Sequence, residues 1–151
     1  MSDSSASREL VYEYTVQFTG LVDFGVGLDA ILGGGPPPLE GARFDAAFAG
    51  TVAGPRFGGQ ISGTDYVHVR ADGRMALHIH GVVTTDDGAR ISLFADGVGM
   101  LRAQEPVIDV RENVTLFSSD PRHAWVNGLQ VWGEGWADMA AGTVTIRGYR
   151  A

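Results

Sequence analysis

Cysteine and lysine are both missing from this chain of 151 residues; the eleven residues counted as Lys or Arg are all arginine. Without cysteine there is no disulfide, no thiolate metal site and no thiol nucleophile. Without lysine there is no protein Schiff base through that residue and no catalytic ammonium. Positive charge is scarce as well. The formal net charge is −7 and the arginines do not cluster, which argues against nucleic acid and anionic membranes as partners, because phosphate binding needs concentrated positive charge. No apolar run reaches the roughly 18–20 residues that span a bilayer. The opening MSDSSASREL has no apolar stretch of the signal-peptide kind, so a cytoplasmic location is expected. The Gly-rich GGGPPP at 33–38 is not followed by Gly-Lys-Ser/Thr, and neither a Gly-x-Ser-x-Gly elbow nor a dinucleotide fingerprint occurs. Phosphate-loop, serine-hydrolase and nicotinamide chemistry are therefore set aside, and no cofactor is expected.

Glycine, in contrast, is abundant, with 22 residues scattered between short β-prone runs. Leu10, Tyr12, Tyr14, Val16 and Phe18 alternate with Val11, Glu13, Thr15, Gln17 and Thr19, the period of a half-buried strand. Residues 42–52 read as a further strand, and 58–101 as three more. Asp72-Gly73 and Asp86-Asp87-Gly88 mark two hairpin turns. Residues 107–119, 124–136 and 143–149 supply the last strands. Short helices are expected only near 28–32 and 136–141. Residues 1–8 are expected to be a disordered tail, and 9–151 a single domain. The pattern predicts an all-β fold, an antiparallel barrel or sandwich of seven to nine strands, with about eight strands in a closed barrel as the reading taken forward.

Several stretches resemble one family. Gly54-Pro55, Phe57-Gly58, Asp65-Tyr66, Arg70-Ala71-Asp72-Gly73 and Thr85-Asp86-Asp87-Gly88 follow the spacing of the DUF3237 (UPF0311) signature. The later HAWVNGLQVWGEG is similar to that family's Gly-rich C-terminal strand. The resemblance covers roughly residues 41–150. It implies a small lipocalin-like or allene-oxide-cyclase-like barrel, in a family where some members are linked to ring closure in polyketide pathways. This chain departs from the pattern by carrying His78 and His80 where the family has an Asp and an Arg, and Tyr66 where it often has Trp.

The candidate chemistry gathers around that departure. His78 and His80 lie two apart and share a strand face, with Met75, Leu77, Ile79 and Val83 on the other. The plain apolar pattern puts the histidines in solvent. The resemblance, together with Tyr12, Tyr14 and Trp125 as pocket-lining aromatics, puts them in the lumen, and the lumen is the expectation adopted. Two imidazoles there would serve as acid and base. Asp65 would orient one of them, and Asn127 would hold a developing enolate oxygen. Tyr12, Tyr14, Tyr66 and Trp125 would contact substrate. A His-x-His pair is also half of a metal site, but His68 and Asp65 differ in parity and His123 falls in a loop, so no metal is expected. The resulting expectation is a cofactor-independent cyclase, isomerase or lyase for a small, apolar, oxygenated or polyketide-like molecule. A lipocalin-like binding protein and a structural β-domain are the alternatives. A homo-oligomer, with a dimer favoured, is expected in each case.

Overall fold

The computed structural model describes residues 8–151. Eight strands follow one another around a closed antiparallel barrel: β1 (Leu10–Asp23), β2 (Ala42–Ala53), β3 (Gly58–Val69), β4 (Met75–Thr85), β5 (Arg90–Leu101), β6 (Val107–Phe117), β7 (Val131–Asp138) and β8 (Thr143–Arg150). Each strand pairs with its sequence neighbour. β8 closes the ring by pairing with β1, Gln17 opposite Thr143 and Leu10 opposite Tyr149. Closure removes both sheet edges and leaves one face inside and one outside. The expected tail lies outside the described residues except for Arg8. Its guanidinium bonds the Glu134 carboxylate at 3.1–3.2 Å and stacks over the Tyr149 ring.

Alternation places the core. In β4, Met75, Leu77, Ile79, Gly81, Val83 and Thr85 are buried, while Ala76, His78, His80, Val82 and Thr84 are exposed. Each large aliphatic side chain hidden this way stabilises the barrel by about 1.5–3 kcal/mol before entropy costs. The hairpin turns form where the Asp-Gly pairs stand. Gly73 and Gly88 adopt φ of 89° and 86°, left-handed values that a side chain would strain.

The two ends of the barrel differ. At one end a 3-10 turn, Ala124–Gly128, folds into the opening and buries Val126 completely. His123 anchors it through Nε2 to the Asp87 carboxylate at 2.9 Å, and Phe57 packs against both His123 and Trp125. The other end is capped by α1 (Leu28–Leu32), which turns Leu28 and Ile31 toward the interior. The helix expected at 28–32 is present. The one expected at 136–141 is not, because β7 continues to Asp138 and a turn follows. The strand expected over 124–136 starts only at Val131; its first part is the 3-10 turn.

Candidate functional site

Beneath α1 the barrel encloses a cavity of about 200 Å³, room for a molecule smaller than a typical drug. Its wall is apolar with three exceptions: Tyr14, Asp65 and Glu112. Asp65 comes from β3, where inward parity otherwise carries Ile61, Gly63, Val67 and Val69. Glu112 comes from β6, between the inward Val110 and Val114. Tyr14 stacks on Tyr12 at 5.9 Å, deeper in the β1 row.

The backbone around these groups is arranged for them. The β3–β4 ladder is interrupted at Tyr66 and Val67, and there the Asp65 carboxylate accepts the His78 backbone N–H at 3.2 Å. On the far side, Tyr12, Gly148, Gly133 and Glu112 face one another in succession across β1, β8, β7 and β6. A Cβ at Gly148 would stand 2.5 Å from the Tyr12 ring, and one at Gly133 would stand 3.0 Å from Glu112 Oε2. The two glycines make the space in which the phenol and the carboxyl lie. The Tyr12 hydroxyl and Glu112 Oε2 are buried without a hydrogen-bond partner. Such groups are costly in a protein interior.

Burial dominates the electrostatics. It pushes the Glu112 carboxyl up to about 8, and the nearby Asp65 charge adds to the effect. Burial pushes Asp65 up to about 6, with the His78 N–H pulling back. Both tyrosines are held well above the ordinary phenol range, first by burial and then by the Glu112 charge. Around neutral pH the cavity thus holds an ionised Asp65, a protonated Glu112 and a neutral Tyr14. Two carboxyls whose environments separate them in this way offer an acceptor and a donor of protons in one apolar space.

A family model described as a protein of unknown function, DUF3237, matches residues 18–151. The chain belongs to the DUF3237 family. Solved structures show the same fold at low sequence identity. A β-barrel-like protein from Acinetobacter baumannii AYE superposes with a TM-score of 0.75 at 20% identity, over 95% of this chain and 94% of that one. A protein from Clostridium acetobutylicum has a TM-score of 0.77 at 19% identity, over 95% of each chain. An enzyme from Penicillium herquei has a TM-score of 0.59 at 18% identity, over 99% of each. A search of curated protein sequences finds no match to this chain.

This DUF3237 barrel distributes the residues singled out from the sequence between three places. Asp65 and Tyr14 line the cavity, and Tyr12 lies in the interior behind Tyr14. His78, His80 and Tyr66 are on the outer surface, so the expectation that the imidazoles face the lumen is overturned. Their strand puts Leu77 and Ile79 inside, and odd and even positions cannot both point inward. Asn127 and Trp125 sit at the plugged end. Asn127 accepts the Ser118 backbone N–H at 2.8 Å and donates to the Ser118 carbonyl at 2.9 Å, so both ends of its amide are engaged in tying the 3-10 turn to β6. It does not line the cavity. Trp125 lies under the Arg56 guanidinium at 3.8 Å, away from the cavity. Glu112 is the site residue that the sequence reading missed. Its signal is present: Val110, Glu112, Val114 and Leu116 form one parity of β6, and a carboxylate in such a row is out of place unless it is used.

Proposed function

We propose that this DUF3237 chain is a cofactor-independent enzyme that moves protons on a small, mostly apolar, oxygenated molecule held in the barrel. The observation that carries the reading is the placement of two carboxyl side chains and one phenol in an otherwise apolar cavity. Asp65 is the base and Glu112 the acid. In an isomerisation, the Asp65 carboxylate takes a proton from the carbon beside a carbonyl while the Glu112 carboxylic acid protonates the carbonyl oxygen. Asp65 then returns its proton to a different carbon, and Glu112 recovers its own from the enol hydroxyl. Both groups end as they began, and no redox partner is consumed. Tyr14 donates a hydrogen bond that orients the oxygen. The same pair fits a cyclisation or a dehydration, in which one carboxyl removes a proton and the other assists the electrophile or leaving group. The lining carries two acids and no cation, which favours a neutral substrate over a carboxylate or a phosphate. A barrel of the same fold from Penicillium herquei is described as an enzyme, in keeping with this reading.

A carrier without turnover would use the same apolar wall, and paired measurements separate the two. A neutral naphthylamine fluorophore reports occupancy of the cavity. Deuterium incorporation beside the carbonyl of small cyclic ketones and enones in D₂O reports proton transfer. Asp65→Asn and Glu112→Gln are each expected to keep the fluorophore bound and to slow exchange by about 10²–10⁴-fold, the usual contribution of a general acid or base. Binding without exchange in the unaltered protein would make it a carrier. Exchange that survives both substitutions would remove the two carboxyls from the mechanism.

A further inference from the structure

We propose that His78 and His80 form a two-nitrogen binding site for a divalent first-row transition ion on the outer surface of the barrel. The site stands apart from the cavity, since both rings lie on the opposite face of β4 from Leu77 and Ile79. The geometry of the rings carries the inference. Their Nε2 atoms are 3.2 Å apart and their centres 5.0 Å apart. Two nitrogens bound about 2.0 Å from one tetrahedral Zn²⁺ lie roughly 3.3 Å apart, and the Nε2 spacing of 3.2 Å matches that chord. Without an ion the two rings share one N–H···N hydrogen bond, which a bound cation would replace.

The neighbours hold this arrangement. Phe94, opposite His80 on β5, meets each imidazole edge-on at 5.1 Å between centres. Tyr66 flanks the pair from β3, 6.0 Å from the His80 ring and 6.5 Å from His78. Rings confined on two sides lose less freedom when they chelate, and preorganisation of that kind raises affinity. Asp96 stands opposite His78 on β5, on the same outer surface, and brings a negative charge beside the ion. Among the described residues no cluster of three His, Asp or Glu side chains is set to hold a metal. Two imidazoles therefore supply the protein's share, and water or a donor from another molecule takes the remaining positions. Imidazole pairs of this type suit Zn²⁺, Ni²⁺ and Cu²⁺ over Mg²⁺ or Ca²⁺, which take oxygen ligands.

The test uses the untagged full chain, titrated with Zn²⁺ and Ni²⁺ by calorimetry. One ion per chain is expected, with micromolar affinity, and Mg²⁺ should give no heat. His78→Ala and His80→Ala should each weaken binding at least tenfold. Both side chains are exposed, so the variants should keep their circular-dichroism spectrum and melting temperature. In the amide NMR spectrum, Cu²⁺ should broaden signals around Tyr66, His78, His80 and Phe94 before any others. Equal affinity in the wild type and the double alanine variant, or broadening centred elsewhere, would overturn the site.

Discussion

Replacing Glu112 with Gln probes the interior most directly, because it keeps the side-chain shape and removes the titration. In the folded barrel this carboxyl is pushed up to about 8 from an ordinary value of 4.5. A carboxyl raised by folding binds its proton more tightly in the native state. Its contribution is fully present below about 4.5 and is lost as the pH rises through 8. Between pH 6.5 and 8 the unfolded chain has already released this proton and the folded chain still holds it. Each pH unit in that interval costs about 1.4 kcal/mol, so the interval costs about 2 kcal/mol. For a chain of this length that is a fall in melting temperature of roughly 4–8 °C. Asp65, raised only to about 6, has largely finished titrating at the start of the window. The assay is a set of thermal or urea melts of wild type and Glu112→Gln from pH 5 to 9. Groups common to both proteins cancel in the difference. The two stabilities should lie closest at pH 5 and diverge steadily up to about pH 8, with the variant the more stable of the two at pH 8.5. Curves that stay parallel above pH 6.5 would refute the claim that Glu112 holds its proton in the folded barrel.

Two further substitutions test the parts that frame the site. Gly148→Ala drives a methyl toward the Tyr12 ring, 2.5 Å from its nearest carbon, and is expected to destabilise the barrel by about 1–3 kcal/mol in urea melts; coupling it with Tyr12→Leu should recover part of the loss. Asn127→Ala removes both bonds to the Ser118 backbone and should cost about 1–3 kcal/mol. Proton exchange per folded molecule should stay unchanged, whereas an oxyanion-holding role would abolish it.

Much of the barrel is legible from the sequence because closure leaves each strand with one dry face and one wet face. Met75, Leu77, Ile79 and Val83 mark the dry face of β4 without ambiguity, and the Asp-Gly pairs mark the turns beside it. The same rule contradicts the expectation of inward histidines. There the alternation describes the molecule: Leu77 and Ile79 take the dry face, and His78 and His80 the wet one. Asp65 and Glu112 obey the rule in a different way, as carboxylates on the dry parity of β3 and β6, and that oddity is visible in the sequence alone. What the sequence does not display is distance. Residues 65 and 112 are brought to one cavity only by the curvature of the closed sheet, and local periodicity carries no record of it. The Ala124–Gly128 turn is hidden for a related reason. Trp125, Asn127 and Leu129 share one parity as on a strand, yet the segment packs across the barrel end, where burial demands no period of two.

The plug formed by that turn has a kinetic consequence. Val126 is sealed into one end, and among the described residues the cavity is lined from the α1 end by Leu28 and Ile31 and by no residue of the plug, so on the function proposed above a ligand comes and goes at the α1 end. Whatever enters must leave by the way it came. In the enzyme proposed above, a reaction product would therefore stand in the path of the next substrate, and the two could not occupy the vessel together. Product inhibition should be competitive, and a catalytic cycle should run no faster than the doorway clears. On the same proposal, the apolar side chains exposed beside α1, Leu21, Val22 and Phe24, would give an oily molecule a landing strip on which to rest before it turns inward.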